Sequence, residues 1–313
     1  MTVEELRREV EERPPDPATT RRYERVRRDV IYEEITTSCA IAGAHLSATA
    51  TRRLLERGAT IGGSLAEHLL VLGYARAALS IAREHAILEG RRRLITVAEI
   101  ERLHVTITSP LDIVRTPPAP PGSWRRANLP PIREGMVTLP HWLIEFEMSA
   151  LVDRIGGGPP ERIGLFAWLA DVYERFERIR PFVEANGRVA RLLTNTLLAR
   201  LGYPPATIAR GLASAYQRAL RSADAGDRVP LAELLERAVR SNLERLAAVL
   251  VATDALRPLP ELARENASLA ALRKAAQRGR LRTIARGREV LSTIEWVDDY
   301  VRRKSRAGRP SKP

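Results

Sequence analysis

A short polar loop between two helix-forming segments is the feature of this sequence that most limits how the chain can fold. Apolar residues recur at helical spacing up to Ile179, and the spacing resumes from Val189 onward. Pro181 cannot continue the first helix, because its ring clashes with the preceding turn and it has no amide donor. The sequence therefore predicts a helix, a loop over residues 184–187, and a second helix that begins near residue 187.

The loop and the start of the second helix carry groups that suit a phosphorylated ligand. Backbone N–H groups at the N-terminus of a helix form an anion site. Arg188 and Arg191 lie three residues apart, so their guanidinium groups project from one face beside the loop. With the carboxylate of Glu184 and the amide of Asn186, these groups are what a nucleotide polyphosphate with a divalent metal requires.

Residues 180–191 resemble the signature of the Fic family, H-P-F-x-[D/E]-G-N-G-R-x-x-R. The matching residues are Pro181, Phe182, Glu184, Asn186, Gly187, Arg188 and Arg191. The sequence departs from the signature at Arg180, where the family has His, and at Ala185, where many members have Gly. The resemblance implies a mainly α fold, a Fic-type helical bundle with a proline-rich loop and a small flap.

The resemblance also implies what each position of the loop does. The residues concerned are Glu184 for Mg²⁺, Ala185, Asn186 and Gly187 for the α-phosphate region of ATP, and Arg188 and Arg191 for its outer phosphates. In the family, the histidine takes the proton of a target hydroxyl as that hydroxyl attacks the α-phosphorus. Arg180 cannot do this, because a guanidinium stays protonated near neutral pH. We therefore expect an ATP-binding protein with little or no transferase activity. The alternative is an active protein adenylyltransferase that uses another base.

A second motif lies upstream. The inhibitory helix of the family carries [S/T]-x-x-x-E-[G/N], and Ser38 and Gly43 match its ends. Ala42 stands where the family has glutamate. In the family that glutamate pairs with the arginine that corresponds to Arg191. Without a carboxylate at position 42, the resemblance implies that this pairing cannot form.

The segment from Ser109 to Pro140 is rich in proline, which rules out a regular helix and predicts a long ordered loop. Gly122-Ser123-Trp124-Arg125 within it resembles the G-x-[W/Y]-R piece that precedes the flap of Fic proteins. Residues 133–140 would then form the flap, which registers an extended target segment by strand addition in the family. A proline-rich connector without a binding role is the alternative.

The basic excess of the chain is concentrated at its C-terminus. The net charge is +13, and residues 258–313 contain 14 Lys and Arg against 6 Asp and Glu. Two short helices, a polar turn, two strands and a last helix resemble the winged helix-turn-helix domains of excisionase and MerR-like proteins. The residues expected to bind DNA are Arg273, Lys274, Arg278, Arg280, Arg286 and Arg288. A solvated basic face without a ligand is the alternative.

The sequence predicts four parts, which are a helical lead-in (1–30), a Fic-like domain (31–252), a winged helix-turn-helix domain (258–303) and a basic tail (304–313). No run of about 18 apolar residues and no secretory signal are present, and Cys39 is the only cysteine. We therefore expect a cytoplasmic protein without a membrane partner. A target protein and a homodimer stay open, as does a purely structural bundle that presents the DNA-binding unit.

Overall fold

The computed structural model of the protein describes residues 2–12, 17–84, 94–250, 256–278, 280–286 and 289–307. Within them the fold is mainly helical, which confirms the predicted fold class. The chain divides into two compact units, Arg27–Asn242 on the one hand and Met1–Val26 with Leu243–Pro313 on the other. The domain boundaries drawn from the sequence stay predictions.

The helices differ widely in length, from 4 residues in α11 to 25 in α2. They are α1 (Val3–Glu12), α2 (Pro17–Ile41), α3 (Ala48–Arg57), α4 (Leu65–Glu84), α5 (Val97–Thr108), α6 (Ile144–Ile155), α7 (Leu165–Ile179), α8 (Asn186–Arg200), α9 (Ala213–Asp224), α10 (Val229–Leu250), α11 (Leu259–Leu262), α12 (Leu269–Gln277) and α13 (Ile294–Ala307). Short 3₁₀ helices cover Ser109–Ile113, His141–Leu143 and Arg210–Leu212.

Helix α8 lies at the centre of the larger unit and packs against α4, α5 and α7. Its apolar residues, such as Leu192 and Leu197, are fully buried. Its polar residues are buried as well, and the hydroxyls of Thr194 and Thr196 donate to carbonyls one turn earlier in the same helix. These bonds satisfy the buried hydroxyls, so a helix that is not purely apolar can occupy the core.

Helix α4 runs without a break over Leu65–Glu84. Among the described helices, it alone has the length and composition of a segment that could cross a membrane, over Leu65–Arg83. Half of that segment is buried inside the structure, where α4 packs against α5 and α8. A core helix of a globular domain has the same character, so the finding is weak evidence for a membrane span.

The sequence pattern predicts a helix over residues 206–223, but the helix begins later, at Ala213. The segment before the 3₁₀ turn is extended, because distant side chains bind its backbone. Asn195 Oδ1 accepts from the N–H of Ala206 at 2.9 Å, and Asn242 Nδ2 donates to the carbonyl of Pro205 at 2.9 Å. Hydrogen bonds of this kind compete with those of a helix.

The smaller unit contains a three-stranded antiparallel sheet with the order β1 (Arg257–Pro258), β3 (Glu289–Ser292) and β2 (Ile284–Arg286). Its core includes Leu272 of α12 and Trp296 of α13. The sequence pattern predicts this strand from residue 280, but β2 begins at Ile284. The reason is that the N–H groups of residues 280 and 281 donate to a carbonyl at the end of α12.

Candidate functional site

The loop between α7 and α8 has an unusual backbone at both ends. Helix α7 ends at Ile179 as the sequence predicts, and Arg180 caps it in the left-handed region with φ of 43°. Ala185 precedes α8 with φ of 62°. In the part of the chain that the structure describes, these are the non-glycine residues with positive φ. Such conformations cost of order 1–3 kcal/mol each and concentrate at functional sites.

Asn186 fixes the shape of this loop from within. Its side-chain Oδ1 accepts from the N–H of Phe182 at 3.0 Å, and its Nδ2 donates to the carbonyl of Phe182 at 2.7 Å. The Phe182 ring stacks on His104 with centroids 3.8 Å apart. Burial lowers the pKa of His104 to about 4, so its imidazole is neutral near pH 7. The shape of the loop is therefore fixed by the two hydrogen bonds of the Asn186 amide and by the stacking of Phe182 on His104.

Arg125, which belongs to the G-x-[W/Y]-R piece, holds the loop from outside. It is 2% exposed. Its Nε donates to the carbonyl of Arg180 at 2.8 Å, and its Nη2 donates to the carbonyls of Ile179 and Leu139. The backbone N–H of Arg125 donates to the carbonyl of Pro181 at 2.8 Å. One buried side chain thus connects the loop with the proposed flap, a role that sequence reasoning missed.

The proposed flap, residues 133–140, contains no strand and forms an ordered turn. The N–H of Met136 donates to the carbonyl of Arg133 at 3.2 Å, and the N–H of Leu139 donates to the carbonyl of Arg178 at 3.0 Å. The flap is therefore attached to the end of α7 by its backbone.

A pocket of about 400 Å³ opens beside the loop. This volume is in the range of small-molecule sites. The residues predicted to bind the nucleotide all line it, together with Ala42 and Arg180. The described residues that line it are Ile41, Ala42, Ile132, Arg133, Glu177, Arg180, Ala185, Asn186, Gly187, Arg188, Arg191, Tyr216, Gln217 and Leu220.

Buried guanidinium groups give the pocket its positive charge. Arg188 is 7% exposed, and its Nη1 has no hydrogen-bond partner among the described residues. Arg180 is buried too, with Nη1 donating to the carbonyl of Pro130 at 3.2 Å and with Nε unpartnered. Burial lowers the pKa of both groups, but an arginine remains protonated. Unpartnered cationic donors in a pocket can bind an anion.

Glu177 contributes a carboxylate that sequence reasoning missed. Its Oε2 accepts from Nη1 of Arg133 at 2.9 Å, and Arg133 also donates to Asp224 at 2.8 Å. Its Oε1 is buried and has no hydrogen-bond partner in the described part of the chain. That oxygen is 3.6 Å from the position a Cβ would take at Gly187. Glu177 precedes Arg180 by three residues on α7, so helical spacing was the available signal.

Glu184, predicted to bind Mg²⁺, does not line this pocket. Nη2 of Arg115 donates to both of its carboxylate oxygens at 2.6 Å. The carboxylate borders a separate, much smaller cavity beside His104. Among the described residues, no group of three or more metal-ligating side chains is found. A metal at Glu184 has to displace Arg115, so the arrangement does not fit a resident Mg²⁺ and the metal role stays a prediction.

The inhibitory-motif positions lie at the end of α2. Ala42 lines the pocket and brings no carboxylate into it. Gly43 closes the turn with φ of 94°. Ser38 is buried and contacts Arg191, whose Nε donates to Ser38 Oγ at 3.0 Å. Arg191 therefore has a partner on α2, although not the one that the family pattern implies.

The predicted DNA-binding residues belong to the smaller unit. Arg273, Lys274, Arg278 and Arg280 are exposed. None of these four has a carboxylate partner among the residues with described positions. Arg286 ends β2, and Arg288 and residues 308–313 of the basic tail lie outside the described residues.

Arg282, which was not among the predicted DNA-binding residues, contacts other residues of the smaller unit. Its guanidinium lies 4.5 Å from the ring centroid of Trp296, and its Nη1 donates to Glu9 at 3.1 Å.

Comparisons with known proteins identify the segment that contains the loop. A sequence model of the Fic/DOC family matches residues 94–198. "Protein adenylyltransferase Fic" of Drosophila willistoni is 27% identical over 228 residues, which cover 70% of this chain and 42% of the relative. The protein of the same name from Drosophila virilis is 29% identical over 232 residues, 70% of this chain and 43% of the relative. The chain spans less than half the length of these curated relatives.

Solved structures show the same fold. A fragment of Fic-1 from C. elegans superimposes with a TM-score of 0.67 at 25% identity, covering 79% of this chain and 70% of that one. A Fic domain containing signaling protein from Bacteroides thetaiotaomicron gives a TM-score of 0.67 at 22% identity, covering 79% and 96%. Because the Bacteroides protein is only 22% identical, its likeness to this chain concerns the fold alone.

Proposed function

We propose, on the premise that residues 94–198 form a Fic/DOC family domain, that the chain binds ATP in the pocket beside the α7–α8 loop. The observation that carries this proposal is the buried, unpartnered Nη1 of Arg188. A buried cationic donor without a partner costs about 1–3 kcal/mol or more, and a phosphate oxygen would recover that cost. The relatives named as adenylyltransferases support ATP as the nucleotide.

Calorimetry with ATP, with and without Mg²⁺, tests the proposal. Arg188→Ala is expected to weaken binding at least tenfold, because it removes a charge-assisted hydrogen bond. Arg218→Ala is the matched control, since Arg218 is an exposed arginine on α9 that does not line the pocket. No heat at millimolar nucleotide, together with no displacement of a fluorescent ATP analogue, would contradict ATP binding.

The chain transfers AMP poorly or not at all under this proposal. A general base typically contributes about 10²–10⁴ in rate, and Arg180 cannot accept a proton. The alternative is transfer with a different base, and Glu177 favours it because Oε1 is unpartnered in the pocket. Labelling of any protein by ATP labelled at the α-phosphate, lost in Glu177→Gln, would support the alternative.

The smaller unit is proposed to bind duplex DNA, which would make the chain a nucleotide-responsive regulator. Arg273 and Lys274 support this proposal, because both are exposed on α12 and have no carboxylate partner in the described structure. Replacing both by alanine is expected to weaken binding and to reduce the slope of log affinity against log salt by about 2. Arg218→Ala serves again as the control. An unchanged slope would show that Arg273 and Lys274 do not contact DNA, so that DNA binding either involves other residues or does not occur.

A further inference from the structure

Residues outside the pocket hold the guanidinium of Arg191. Nε donates to Ser38 Oγ at 3.0 Å, and Nη2 donates to the Ser38 carbonyl at 2.9 Å. Ser38 Oγ donates in turn to Oε1 of Glu34 at 2.8 Å, and Tyr74 Oη donates to the same oxygen at 2.7 Å. All four side chains are buried, and Arg191 alone among them lines the pocket.

The network binds Arg191 through hydrogen bonds, and among the described residues it contains no direct ion pair to the guanidinium. A buried charge is expensive unless it is paired and hydrogen-bonded. The pKa of Glu34 is raised, because burial outweighs the hydrogen bonds from Tyr74 and Ser38 and the charge of Arg191. The hydroxyl of Ser38 accepts from the arginine and donates to Glu34, so it connects the two side chains.

This arrangement leaves donors of Arg191 available to a ligand. A guanidinium has five N–H donors, and the two bonds to Ser38 use the Nε and one N–H of Nη2. Within the described residues, Nη1 has one long hydrogen-bond contact, 3.5 Å to Tyr216 Oη. Nη1 of Arg191 also lies 3.6 Å from the position that a Cβ would take at Gly187, so this nitrogen lies beside the anion-binding loop.

The absence of a carboxylate at position 42 determines how this network acts. Ala42 lines the pocket, so a glutamate there would enter the pocket and compete with a phosphate for Arg191. Glu34 does not line the pocket and reaches Arg191 only through Ser38. We propose that Ser38 and Glu34 are positioning residues, which hold Arg191 ready for the outer phosphates of ATP rather than away from them. This inference rests on the proposed ATP binding.

Calorimetry on the full chain tests the inference with Mg²⁺-ATP, AMP and tripolyphosphate as ligands. Ser38→Ala is expected to weaken binding of ATP and tripolyphosphate about tenfold and that of AMP less than twofold, because Arg191 serves the outer phosphates. Ser38→Thr, which keeps the hydroxyl, should restore most of the affinity. Thr37→Val is the matched control, since it removes a buried hydroxyl of the same helix whose hydrogen bond in the described structure goes to the Glu34 carbonyl.

Each outcome decides the matter. Tighter ATP binding by Ser38→Ala would show that the network withholds Arg191, and unchanged binding would show that it has no role. An equal loss for ATP and AMP would indicate general damage to the pocket, and thermal unfolding of each variant identifies a folding defect. In a folded variant, tighter ATP binding, unchanged ATP binding or an equal loss for ATP and AMP would each overturn the inference, while the proposed ATP binding would stand. Failure of the wild type to bind either ATP or tripolyphosphate would remove the proposed function and the inference together.

Discussion

Replacing Arg180 by histidine is expected to switch on transfer of AMP to protein. Residue 180 has φ of 43°, and histidine enters the left-handed region more readily than most residues. Its N–H donates to the carbonyl of Phe176 at 2.9 Å, and its carbonyl accepts from Arg125 at 2.8 Å. Both contacts use only backbone atoms of residue 180, so the substitution keeps them while it supplies a proton acceptor.

The expected gain follows from the general-base contribution. A factor of about 10²–10⁴ in rate corresponds to roughly 2.7–5.4 kcal/mol of barrier. The side-chain contact that is lost is the bond from Arg180 Nη1 to the Pro130 carbonyl at 3.2 Å. The pocket also loses one positive charge, which weakens ATP binding, so the rate is compared at saturating ATP. We expect at least about a hundredfold increase there.

The assay is self-modification and labelling of a lysate with ATP labelled at the α-phosphate. Arg180→Gln is the matched control, because it removes the same charge without adding a base. Should Arg180→His bind Mg²⁺-ATP yet label no more protein than Arg180→Gln, the reasoning is refuted. Adding Ala42→Glu is expected to reduce the labelling at least tenfold, because the new carboxylate enters the pocket and competes for Nη1 of Arg191.

Three further predictions concern the residues around the loop. Arg115→Gln frees both oxygens of Glu184, and an exposed pair of this kind contributes up to about 1 kcal/mol. The affinity ratio of Mg²⁺-ATP to metal-free ATP should therefore rise about fivefold, and an unchanged ratio in calorimetry would exclude Glu184 as the metal ligand. His104 has a pKa near 4, below its ordinary value of about 6.5, so its contribution to stability is present above pH 6.5 and is lost as the pH falls towards 4. Over this pH range, urea unfolding should show that the free energy of unfolding of the wild type falls by an amount on the order of 2–3 kcal/mol, and that of His104→Gln by less. Equal decreases in the two proteins would contradict the prediction. Ala185→Gly relieves the positive φ and should raise the free energy of unfolding by about 0.5–1 kcal/mol, whereas a loss would show that the Cβ is needed.

The helix–loop–helix around residue 180 could be predicted from the sequence because its causes are local. Pro181 ends α7 wherever the rest of the chain lies, and the apolar spacing resumes in α8. Helix α8 begins at Asn186, one residue earlier than expected. The arginines three residues apart do line one pocket, as helical geometry requires.

Contacts between distant parts of the chain could not be predicted in this way. Ser38 and Arg191 are 153 residues apart, and Arg133 and Asp224 are 91 residues apart. Neither pair has a periodic signal, because each depends on which helices become neighbours in the folded bundle. The sequence pattern identified Ser38 as a motif position but gave no partner for it.

The strained loop itself argues against a bundle that serves only to present another domain. A connection between two helices does not require left-handed residues other than glycine, yet Arg180 and Ala185 both adopt that conformation. Each is expected to cost of order 1–3 kcal/mol, so other interactions must maintain the shape. Arg125 and Asn186 supply them, through buried hydrogen bonds to backbone groups of the loop. A backbone held in this form, with a buried unpartnered arginine nitrogen beside it, is better explained by a bound anion than by structural support alone.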